Sequence, residues 1–231
     1  MNTVRIVVTL LAGAALSAQT PPKAPPVDPS LVAVEEVAGL PRALLIGDSI
    51  SMGYTLPVRE LLKGKANVLR VMANAGDTAR GLRELDDWLG TGQWDVIHFN
   101  FGLHDLKYLD ATGKYVGPDE GKQVALVPIY EANLRKLLER LKRTGARLIW
   151  ASTTPVPDGS PGRVKDDEIK YNEAALRVMR EYGVEVDDLH AVVTSGPPGM
   201  QLPNNVHFTE AGCTLLAKSV AASVEAALAK R

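Results

Sequence analysis

Ala43-Leu44-Leu45-Ile46-Gly47-Asp48-Ser49-Ile50-Ser51 is the stretch whose reading decides the fold. An apolar run of four residues stops at Gly-Asp-Ser. Such a run reads as a buried strand, and the small polar residues after it as a tight turn. Leu56 to Lys63 then reads as a helix with Val58, Leu61 and Leu62 on one side. Ser49 is therefore expected on a strand-to-helix turn, at the carboxyl end of a central strand, where open α/β sheets bind ligands. A nearby helix N-terminus would favour an anion there. Two jobs stand open for Ser49 at this point: nucleophile, or simple helix N-cap.

Working outward, strand-like and helix-like stretches alternate. Ala66–Val71, Trp94–Phe99, Arg147–Ala151 and Val184–Val186 read as further strands, giving five in all. Thr78–Leu89, Pro128–Thr144, Lys165–Tyr182 and Thr209–Ala229 read as helices, Pro128–Thr144 carrying Leu134, Leu137, Leu138 and Leu141 on one face. Thr209 is placed to cap the last one. This alternation argues for a five-stranded parallel sheet covered on both faces. Lys107 to Pro128, polar and Gly-containing, reads as a surface excursion.

The ends bound the domain. Met1 to Ala18 has the pattern of a secretory signal: Arg5, the apolar Ile6–Leu16, and small residues for cleavage. Residues 19–33, with five prolines, read as an extended linker, and 34–231 as one α/β domain. The expected location is secreted or periplasmic, with no stable membrane span. A formal net charge of −1 gives no reason to expect nucleic acid as a partner. Cys213 is the single cysteine, so no internal disulfide can form, and it reads as a small apolar residue. No metal-ligand spacing or phosphate-binding glycine motif occurs, so no metal and no cofactor are expected. His98, inside a strand, reads as a core histidine. Phe101, Tyr108 and Tyr115 read either as packing or as an apolar, sugar-stacking wall.

Polar residues collect at one rim of the sheet: Ser49, Gly76, His104 and the Thr153 region, joined by the 204–209 loop. That set can supply a nucleophile (Ser49), an imidazole base (His207), and an oxyanion hole from the Ser49 and Gly76 N–H groups with a His104 ring N–H. The alternative for His104 is a structural histidine bonding its own loop.

These residues carry a resemblance to the SGNH, or GDSL-type, hydrolases, which are flavodoxin-like three-layer α/β/α esterases and lipases. Gly47-Asp48-Ser49 resembles their first block, Asn74-Ala75-Gly76-Asp77-Thr78 the second, Gly102-Leu103-His104-Asp105 the third and Asn204-Asn205-Val206-His207 the last. The blocks occur in family order over nearly the whole mature domain. The resemblance implies a serine esterase with Ser49, His207 and Asn204 catalytic and Ser49, Gly76 and His104 around the oxyanion. It departs from the family twice. His104 stands for an asparagine, and Asn204 for the triad aspartate. The second departure leaves three readings: a Ser–His dyad, a substitute carboxylate from Asp187, Asp188 or Glu210, or a site that binds without turnover. By analogy the expected substrate is a small-molecule or carbohydrate ester, above all a short acyl or acetyl group on a sugar, with a lipid ester as the alternative and a non-catalytic carbohydrate-binding protein as the rival class.

Overall fold

The computed structural model describes residues 27–230. The expected leader, 1–18, and most of the Pro-rich stretch lie outside them. Pro29–Leu31 forms a short 3-10 turn capped by Asp28, with Ser30 buried.

Five strands make the central sheet: β1 (Arg42–Ile46), β2 (Asn67–Arg70), β3 (Val96–Phe99), β6 (Arg147–Ala151) and β7 (Glu185–Asp187). Their order is β2-β1-β3-β6-β7, and every pairing is parallel. Counting only these strands, that is the flavodoxin-like order, with its topological switch between β1 and β3. A small antiparallel pair, β4 (Tyr108–Leu109) with β5 (Lys122–Gln123), gives the 107–128 excursion an ordered base.

Two helical layers cover the sheet. On one side α1 (Ser49–Leu61) packs on α6 (Glu210–Ala229); on the other α3 (Val127–Lys142) packs between α2 (Thr78–Leu89) and α4 (Glu168–Tyr182). Covering both faces is why β1, β3 and β6 read as near-continuous apolar runs rather than alternating ones. A short α5 (Leu189–Thr194) follows β7.

Two expectations change. Helix α1 begins at Ser49 rather than near Leu56. Gly53 and Pro57 are poor helix formers, but packing overrides propensity here. A Cβ on Gly53 would lie 2.8 Å from Cys213 Sγ, so the glycine lets α6 come close. The second is the reading that no stretch after the leader is long and apolar enough to span a membrane, since α6, 20 residues at mean hydropathy 1.3, is one by length and composition. Its apolar stripe, Leu216, Ala217, Val220, Val224 and Ala227, is buried in the fold.

Candidate active site

The turn after β1 is held from three directions. The Asp48 side chain accepts from the Ile50 N–H at 2.9 Å and caps α1, so the capping job that stood open for Ser49 belongs to its neighbour. Gly47 is needed for space: a Cβ there would lie 2.8 Å from Ser51 Oγ. Arg70, at the end of β2 and only 4% exposed, donates to Gly47 O at 2.9 Å and to Ser51 Oγ at 2.5 Å. Ser49 is left half-buried at the first position of α1, where its N–H has no partner within the helix.

Ser49 Oγ lies 2.8 Å from His207 Nε2, across 158 residues of sequence. On the other side of the ring, His207 Nδ1 lies 2.7 Å from Asn205 Oδ1. The same Oδ1 accepts the His207 backbone N–H at 3.0 Å. That second bond fixes the chemistry. A backbone N–H is only a donor, so the amide must present its oxygen. Nδ1 must then carry the hydrogen, and Nε2 keeps a lone pair for the Ser49 hydroxyl. This is the tautomer a serine nucleophile needs.

The partner of His207 is thus Asn205 and not Asn204, the residue expected from the block alignment. The reason is local. Asn204 adopts a left-handed conformation, φ 53°, and its side chain turns against Gly159. Asn205, two residues before the histidine, is at the reach of an Asx turn. None of the substitute carboxylates serves instead. Asp187 is buried between His98 Nε2 at 3.0 Å and Ser219 Oγ at 2.6 Å. Asp188 caps α5 and holds Ser152, and Glu210 is exposed in the first turn of α6.

The opposite side of Ser49 is formed by the ends of β2 and β3. Ala75 N–H donates to Gly47 O at 3.0 Å, which brings the Gly76 segment beside the turn. Gly76, φ 66°, points its N–H at Asn74 Oδ1, 2.9 Å away. Gly76 N–H can reach an oxyanion only when Asn74 yields it. Asp105 ties the β3 loop to α2, accepting from Thr78 Oγ1 at 2.5 Å and Thr78 N–H at 3.1 Å. Burial pushes the Asp105 carboxyl up to about 7, against the lowering effect of those Thr78 donors.

His104 is half-buried, with Nδ1 3.1 Å from Lys107 Nζ. An ammonium has hydrogens and no lone pair, so Nδ1 accepts and the ring hydrogen sits on Nε2. Burial pushes the His104 imidazole below its ordinary value. The Asp48 charge works against that, and the Lys107 and Arg163 cations add to it. The result is a neutral Nε2–H donor. Among the described residues, no group of three His, Cys, Asp or Glu side chains is arranged to hold a metal.

Sequence reasoning missed Asn205, Arg70 and Lys107. Only Asn205 had a legible signal, its position two residues before the histidine. Of the aromatic residues read as packing or as a wall, Phe101 is core, 1% exposed, while Tyr115 is 44% exposed.

Comparisons with known proteins give the family and the fold. A family model described as GDSL-like Lipase/Acylhydrolase family matches residues 45–215. A lipase/acylhydrolase from Enterococcus faecalis superposes with TM-score 0.67 at 18% identity, over 81% of this chain and 96% of that one. The acetyl xylan esterase AlAXEase gives 0.63 at 14% identity, over 79% and 99%. TesA gives 0.61 at 16%, over 80% and 99%. At such identities the likeness is one of fold. No curated protein matches.

Proposed function

Given that the chain belongs to the GDSL-like lipase/acylhydrolase family, whose members hydrolyse ester bonds, we propose that it is a serine esterase using Ser49 and His207. His207 Nε2 takes the Ser49 proton as Oγ attacks the acyl carbonyl, and returns it to the departing alcohol. Water, activated by the same nitrogen, then releases the acid from the acyl-enzyme. Asn205 holds the ring in the working tautomer but adds no charge to stabilise the imidazolium, so turnover is modest beside that of a charged triad. The Ser49 N–H and His104 Nε2–H stabilise the oxyanion, with Gly76 N–H joining when Asn74 releases it.

The observation that carries this reading is the chain of contacts Ser49 Oγ, His207 Nε2, His207 Nδ1, Asn205 Oδ1, at 2.8 and 2.7 Å. The proposed substrate is a short acyl group, above all acetyl, on a carbohydrate. His207 is exposed, which suits a bulky alcohol arriving at an open rim. AlAXEase, a structural neighbour, is an acetyl xylan esterase. Export rests on the Met1–Ala18 pattern.

The test is hydrolysis of p-nitrophenyl acetate by wild type and Ser49→Ala, followed by acetate release from acetylated sugars. A rate in wild type lost in Ser49→Ala supports the proposal; equal rates in both would end it.

A further inference from the structure

Beside His104 stand two cations that the mechanism above does not use on substrate. Lys107 Nζ lies 5.2 Å, and the Arg163 guanidinium carbon 5.6 Å, from the centre of the exposed Tyr115 ring. Arg163 spends one edge on backbone, donating from Nε to Leu103 O at 3.0 Å and from Nη1 to Pro161 O at 3.1 Å. Among the described residues, neither cation is within ion-pair distance of a carboxylate. Both are half-buried. The Asp48 carboxylate acts on Arg163 only from beyond ion-pair distance, so two partly desolvated like charges lack a contacting counter-ion, and an anion placed between them would offset this.

The position ties this cluster to the reaction. The 157–163 loop bridges the two sides of the active site. A Cβ on Gly159 would lie 3.1 Å from Asn204 Cγ, in the loop that carries His207. At its other end Arg163 holds the carbonyl of Leu103, next to His104, and Gly162 O accepts from Tyr108 N–H at 2.7 Å. The cations therefore flank the oxyanion side of Ser49. An arginine fork and a lysine over an aromatic face suit an oxyanion carried on a sugar-like or glycerol-like body.

We propose that Lys107 and Arg163 bind an anionic group of the ester substrate, a carboxylate or a phosphate, close to the scissile bond, with Tyr115 as the platform beneath it. This rests on the esterase reading and narrows its substrate class to charged esters.

The experiment measures acetate release from matched pairs: acetylated glucuronic acid against acetylated glucose, and acetylglycerol phosphate against monoacetylglycerol. At low ionic strength the charged member of at least one pair should show kcat/KM about tenfold above its neutral partner, as expected for a charge-assisted contact at a half-exposed site. The ratio should shrink at about 0.5 M salt and in Arg163→Gln and Lys107→Gln. Which pair shows the advantage identifies carboxylate or phosphate. Ratios of one or less in both pairs, or a ratio that survives Arg163→Gln, overturn the proposal while leaving the esterase intact. If no ester is hydrolysed, the esterase reading fails. Calorimetric titration of Ser49→Ala with glucuronate and glycerol phosphate, against glucose and glycerol, then decides the proposal alone: binding of either anion that is lost in Ser49→Ala/Arg163→Gln keeps it, and no such binding ends it.

Discussion

Asn205→Asp should make this a faster enzyme. The amide oxygen already holds His207 Nδ1 at 2.7 Å and the His207 backbone N–H at 3.0 Å. An aspartate carboxylate has the same shape and can keep both bonds while adding the missing negative charge. During acylation the imidazole becomes positive, with its charge centred roughly 4 Å from the new carboxylate. Their attraction is about 4 kcal/mol at an effective dielectric near 20 and about 1 kcal/mol in water. His207 is exposed, so the lower part of that range applies. A gain of about 1–2 kcal/mol in the transition state is about five- to thirtyfold in kcat. This is far below the roughly 10⁴ lost when a serine protease exchanges its aspartate for asparagine, because there the tautomer is lost as well. The assay is steady-state hydrolysis of p-nitrophenyl acetate, with Asn204→Asp as the companion variant, expected to change kcat less than about twofold because its side chain faces Gly159. A fall of an order of magnitude or more in Asn205→Asp would refute the reasoning, since it would mean that the amide does something a carboxylate cannot.

Three further outcomes are expected. Lys107→Met leaves the His104 tautomer unfixed, so kcat on a neutral ester should fall about tenfold with KM little moved; the imidazole nitrogen NMR spectrum should show hydrogen shared between Nδ1 and Nε2 in the variant and confined to Nε2 in wild type. Asp105, with its carboxyl pushed up to about 7 in the fold, binds its proton more tightly folded than unfolded, where an aspartate titrates near about 4. Its contribution is therefore greatest in acid and is lost as pH rises between these values; urea unfolding should show stability falling by about 2 kcal/mol from pH 5 to 8, and Asp105→Asn should flatten that slope. Gly47→Ala puts a Cβ 2.8 Å from Ser51 Oγ, inside the network held by Arg70, and should cost about 1–3 kcal/mol in the same unfolding assay.

The parallel sheet was legible because its signals are local. Ala43–Ile46, Val96–Phe99 and Arg147–Ala151 are apolar runs ended by polar turns, and a strand buried on both faces must look that way. Ser49, Gly76, His104 and His207 were legible for a related reason, since each follows a strand or precedes a helix at the same rim. What escaped were relations set by long-range packing or by the hand of a single residue. The glycine at position 53 of α1 makes room for Cys213, 160 residues away in sequence, a fit visible only in three dimensions. The exchange of Asn204 for Asn205 turns on one positive φ: the spacing to His207 permits Asn205, but the sequence does not say which of the two asparagines turns away. Arg70 and Arg163 look like ordinary surface arginines in sequence, yet one clamps the Ser49 turn and the other spans the active-site rim.

Reaction with a fluorophosphonate probe, followed by intact mass and peptide mapping, addresses the mechanism most directly. Such a probe captures a serine only when a neighbouring base activates its oxygen. A single adduct on Ser49 that forms within minutes in wild type and is slowed at least a hundredfold in His207→Ala is the expected result. An unmodified Ser49 in folded protein, or labelling indifferent to His207, would contradict it.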